Sequence, residues 1–69
     1  MTDSTKLKDA IKRTGIKKSF IAQRLGISPQ GYQKKENGLI EFKASEISIM
    51  KDILNLSAKE TNDIFLSKG

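Results

Sequence analysis

The sequence predicts an all-α protein, a single compact bundle of about five helices built from 69 residues. Five segments each carry helix start and stop signals, and apolar residues recur within them at three- and four-residue spacing. The only proline, Pro29, stands where a helix begins and not inside one. No repeat, low-complexity run or linker divides the chain, so 1–69 reads as one domain, with 1–4 and 67–69 expected to fray. A domain of this size buries roughly 60% of its unfolded-chain surface and is only modestly stable alone.

Ser4 or Thr5 can open a first helix with Leu7, Ala10 and Ile11 on one face, ending at Gly15. A second runs from about Lys18 to Leu25. Its Ala22 is small enough for close helix contact, and Gly26 sits where the chain leaves through a sharp turn. Ser28 is a good N-cap for a third helix, Pro29 occupies its first position, and Asn37-Gly38 supplies a left-handed stop after about Glu36. Ile21, Leu25, Ile27 and Tyr32 lie where one shared core needs them. Two short helices crossing through a tight turn are a helix-turn-helix signature.

After a loop through Leu39, Ile40 and Glu41, the residues Ala44, Ile47, Met50 and Leu54 form one face of a fourth helix. Ile49 and Ile53 fall on a different stripe, which a wide core-facing surface explains, with a homodimer or partner contact as the other use. Ser57 opens a final helix, Glu60 completes a capping box with it, and Ile64 and Phe65 close the bundle. Phe20 and Phe42 are expected in the scaffold, since the chain has four aromatic residues and no Trp.

Without Cys there is no disulfide framework or thiolate metal site, and without His the usual general base and imidazole ligand are missing. No spaced constellation supplies a nucleophile with its base, so no enzyme activity, cofactor, metal or small-molecule substrate is expected. The opening MTDSTKLKD has no apolar stretch of signal-peptide type, and apolar runs elsewhere are far short of a membrane span. A soluble, cytoplasmic protein follows as the expectation. The net charge of +5 is uneven: 1–35 carry nine Lys or Arg against two Asp, and 36–69 carry four Lys against six acids. Clustered cations of this kind suit a polyanion, although a solvated lysine surface explains them as well.

Across 18–37 the chain resembles the DNA-binding domains of temperate-phage repressors and Cro proteins. The resemblance covers most of the chain. The run Glu36, Asn37, Gly38, followed by Glu41-Phe42-Lys43-Ala44-Ser45-Glu46-Ile47, is similar to a small subgroup from phages of Gram-positive hosts. Within it the chain looks most like the modulator-of-repression, or antirepressor, proteins of lactococcal-type switches. The resemblance implies a lambda-repressor-like fold in a bacterial cytoplasm, with 29–36 as recognition helix. Ser28, Pro29, Gln30, Gln33 and Lys34 then face solvent. Gln30 and Gln33 can each offer a donor and an acceptor to adenine, Lys34 can reach guanine or phosphate, and Lys17 and Lys18 match phosphate anchors. The bland alternative is that Gln and Lys are simply good polar helix formers on an exposed face.

Three departures from the family pattern weaken a simple DNA-binding reading. Pro29 has nothing to give a base edge, Glu41 repels phosphate where relatives place Lys or Arg, and Lys35 occupies a position usually apolar. The Lys35 stem can still pack while its ammonium reaches water. Tyr32 is assigned either to the core or to an interface. Of Leu39, Ile40 and Phe42, only one easily points inward, which leaves an apolar knob beside Lys34 and Lys35. Pro29, Tyr32, Gln33, Lys35, Leu39 and Ile40 therefore make up a candidate protein interface. Two functions follow: an antirepressor that binds the DNA-binding domain of a phage repressor and keeps it from its operator, favouring the lytic cycle, or a Cro-type repressor binding operator DNA directly, alone or with that partner. An antitoxin of the same fold is a further possibility.

Overall fold

Five helices and no strand make up residues 1–67, the part of the chain that the computed structural model describes. They are α1 (Ser4–Thr14), α2 (Lys18–Leu25), α3 (Pro29–Glu36), α4 (Ala44–Ile53) and α5 (Ala58–Phe65). α2 packs on α3 and α4, and α1 on α3 and α5, within an envelope of 26 × 23 × 20 Å. No helix among the described residues is long and apolar enough to cross a membrane.

Local chemistry explains most helix ends. The Ser28 Oγ accepts the Gly31 N–H at 3.0 Å, and the Ser57 Oγ accepts the Glu60 N–H at 3.0 Å while the Glu60 carboxylate takes the Ser57 N–H. Both bonds satisfy donors that a helix start leaves orphaned. At α1 the cap is Asp3, whose Oδ1 accepts the Lys6 N–H at 3.1 Å, and not Ser4 or Thr5. Ser4 is already the first helical residue, and its hydroxyl donates to the Glu36 carbonyl at 2.6 Å. The expected fraying of 1–4 is not what the structure shows: Thr2 is buried and the Asp3 N–H donates to the Ile64 carbonyl at 2.6 Å. At the other end Ser67 is half-buried, and 68 and 69 lie outside the described residues.

The core joins Leu7, Ala10 and Ile11 of α1 to Ile21 and Ala22 of α2, Tyr32 of α3, Met50 of α4 and Ile64 and Phe65 of α5. Leu54 and Leu56, after α4, complete it, and Leu25, Ile27, Ile47 and Ile53 pack against it half-buried. Phe42 enters from the α3–α4 loop and meets both Tyr32 and Phe65 edge to face, with ring centroids 6.2 and 5.2 Å apart. Two expected core residues lie outside. Ala44 is exposed at the start of α4, where Glu46 turns inward instead. Phe20 is 43% exposed, because Ile21, Ala22 and Leu25 take the inward side of α2 and a neighbour of Ile21 is rotated away from it.

α3 buries a single apolar side chain, Tyr32, so ordinary hydrophobic burial cannot hold it in place. Its inward positions are Tyr32, Lys35 and Glu36, spaced i, i+3, i+4. The fully buried Glu36 accepts the Tyr32 hydroxyl on one carboxylate oxygen and the Lys18 ammonium on the other, each at 2.8 Å. Lys35 donates to Glu46 Oε1 at 2.5 Å, and the Lys43 N–H donates to the same oxygen at 2.8 Å.

Tyr32→Phe removes one of the two side-chain donors to a buried carboxylate without opening a cavity. It should lower unfolding stability by about 1–3 kcal/mol, read from denaturant melts with an unchanged slope. A loss near zero would show that Lys18 alone suffices for Glu36.

Candidate interface on α3 and the loop behind it

With Tyr32, Lys35 and Glu36 turned inward, the remaining α3 side chains face solvent. Pro29, Gln30, Gln33 and Lys34 are exposed, and so is the capping Ser28. Four of the six residues read as base or phosphate contacts are therefore on one short exposed segment. Lys17 is exposed too, at the N-cap of α2, which no side chain caps. Lys18 differs: its stem is half-exposed but its ammonium is committed to Glu36, so it is not a free phosphate anchor.

Two residues assigned to a protein interface are not on the surface. Tyr32 is buried, with its hydroxyl consumed by Glu36. Burial, then the hydrogen bond to and charge of Glu36, push its phenol well above the ordinary tyrosine value, so it remains a donor. Lys35 does not reach water with its ammonium, because Glu46 lies within reach inside the fold. Burial by itself raises the Glu46 carboxyl, but the Lys35 hydrogen bond, the Lys43 N–H and the nearby cations outweigh it and hold the group below its ordinary value.

The chain beyond α3 has a feature that comparison within the molecule brings out. α2, α3 and α4 all end in the same paired bonds, from Gly26 and Ile27, Gly38 and Leu39, and Asn55 and Leu56 back to carbonyls of the last turn. The left-handed residue is Gly26 (φ 71°), Gly38 (φ 82°) or Asn55 (φ 52°). The apolar residue that follows normally folds back onto its helix. Leu56 is buried and Ile27 half-buried, whereas Leu39 is 76% exposed and Ile40 beside it 46% exposed. Phe42 is the loop's inward anchor, which leaves the two preceding side chains outside.

Ahead of this knob the exposed charge has one sign, and the exposed Glu41 follows it. Glu36 is the only acid between Asp9 and Glu41, and it is buried, whereas Lys12, Arg13, Lys17, Lys18, Arg24 and Lys34 are all exposed. The sequence reading overlooked Arg24, whose guanidinium lies 5.9 Å from the centroid of the exposed Phe20 ring. Their i, i+4 spacing was the available signal. The buried partners Glu36 and Glu46 were overlooked as well, and no local pattern marks them.

Compared with models of protein families, with curated proteins and with solved structures, the chain matches none.

Because the folded Glu46 carboxyl titrates below its ordinary 4.5, its contribution to stability is complete above that value and disappears as pH falls through the lower folded one. Glu46→Gln should be less stable than the parent at neutral pH, and the gap should narrow as pH is taken from neutral to about 3. Thermal melts of both across that range measure it, and a constant gap would contradict the role of the ionised pair.

Proposed function

We propose that the chain is a helix-turn-helix regulator of a phage genetic switch that acts as an antirepressor, binding the DNA-binding domain of a partner repressor and preventing its operator binding. The observation that carries this reading is the outward Leu39 and Ile40 at the end of α3, where two equivalent helix ends in the same molecule turn their apolar residue inward. An apolar centre with a charged rim is how protein interfaces are built. Pro29, exposed and without a hydrogen-bonding group, and the exposed Glu41 favour the same reading over contact with DNA. The family resemblance supplies the identity of the partner. In this reading Pro29, Gln33, Leu39 and Ile40 form the contact, and Tyr32 and Lys35 support it from below.

Direct operator binding is the second reading, favoured by the cation-only surface between Asp9 and Glu41. Gln30 and Gln33 are then the base readers, with Lys17 and Lys34 on phosphate.

A mixture of the protein, the purified repressor and labelled operator separates the two. Loss of the repressor's shifted band is the antirepressor result, while an unchanged band rejects it. Leu39→Asp with Ile40→Asp should reduce repressor binding by at least about tenfold, consistent with loss of a central apolar anchor, and leave circular dichroism and melting unaltered. For the DNA reading, Lys34→Ala should weaken binding uniformly across sequences and Gln33→Ala should relax selectivity. The absence of any operator-selective shift at low salt excludes direct readout.

A further inference from the structure

We infer that the repressor surface receiving Leu39 and Ile40 is an apolar pocket with a polarised rim, carrying an acid on the Lys34 side and a base on the Glu41 side. The inference rests on the antirepressor reading and specifies the chemistry of its partner. Opposite charges bracket the knob. The Leu39 N–H donates to the Lys34 carbonyl at 2.9 Å, so Lys34 stands at the near end of the projection, and Glu41 follows Ile40 at the far end. Both side chains are exposed. Neither is spent on the fold: among the described residues Lys34 has no carboxylate within ion-pair reach, and Glu41 meets only the terminal ammonium, 3.8 Å away and itself exposed. An exposed pair of that kind contributes little to stability.

Each charge stands on a fixed support. The inward Tyr32, Lys35 and Glu36 hold α3 in one rotation with Lys34 outward, and the buried Phe42, packed on Tyr32 and Phe65, anchors the residue next to Glu41. An apolar contact tolerates rotation, whereas two unlike charges on either side of it make docking directional. Complementary charges across an interface fix its register, and like charges exclude the wrong one. A rim with an acid facing Lys34 and a base facing Glu41 fits in one orientation, and a rim of reversed sign is repelled at both ends. Lys34 and Glu41 are therefore specificity-determining residues beside the apolar anchor.

The test is a charge swap, read as the Kd of the full chain for the purified full-length repressor at about 0.1 M salt, where the Debye length is about 10 Å. Lys34→Glu lowers the net charge and Glu41→Lys raises it, yet each should weaken binding about tenfold, because each sets like charges together at one end of the pocket. The double variant has the parent's net charge and should bind about a hundredfold more weakly than the parent. Circular dichroism checks folding. Where a reversal disturbs α3, Lys34→Gln and Glu41→Gln should each weaken binding in the same direction by a smaller factor. Tighter binding by either single variant, or recovery of the parent's Kd in the double variant, shows that overall charge governs the encounter and overturns the polarised rim. Unaltered Kd in all of them, with Leu39→Asp and Ile40→Asp together still defective, also overturns it and leaves the antirepressor reading intact. No complex with the parent chain removes both.

Discussion

The buried carboxylate of Glu36 is the constraint around which the molecule is arranged. A carboxylate removed from water costs several kcal/mol unless its oxygens are fully engaged, and here α2 and α3 each supply a donor while α1 binds the same residue's carbonyl through Ser4. Three helices thereby meet at one residue. Because α3 has so little apolar surface, this polar junction and the Lys35–Glu46 pair do the docking that hydrophobic burial does elsewhere in the bundle.

Polar docking has a consequence for the exterior. Hydrogen bonds to a carboxylate are directional, so they define the rotation of α3 about its axis more narrowly than a greasy contact would. Gln30, Gln33 and Lys34 are held outward as a set, and the left-handed exit at Gly38 delivers Leu39 and Ile40 to the surface. Phe42 then returns the chain to the core between Tyr32 and Phe65, making the exposed pair a short, anchored projection. The same junction takes the only acid of α2 and α3 out of the surface charge, so the α2–α3 face carries cations without counter-charge of its own.

Much of this was legible in the chain. The bounds of α2 and α3 and the caps Ser28 and Ser57 coincide with the sequence expectation, and most of the apolar core does too, because caps, turns and amphipathic spacing act over a few residues. The exposed status of Pro29, Gln33, Leu39 and Ile40 was also readable from their places on the third helix and its loop. Lys35 was not: an interior lysine looks like a surface residue until its partner is known, and that partner lies 11 positions away on another helix. Phe20 was misjudged because a scarce aromatic residue suggests burial, although the two residues after it already filled the inward side.

By itself the sequence determined five helices, their order, most of their ends and the sign of the charge on the first half of the chain, since each depends on neighbours within a turn or on simple composition. Tertiary structure alone decided that Ser4 would donate to the Glu36 carbonyl, that Lys18 would neutralise Glu36, and that Lys35 would turn inward to Glu46. Those choices join residues 32, 18 and 11 positions apart. They follow from the high cost of leaving a buried charge unpaired, a cost that exists only once the helices have closed around it.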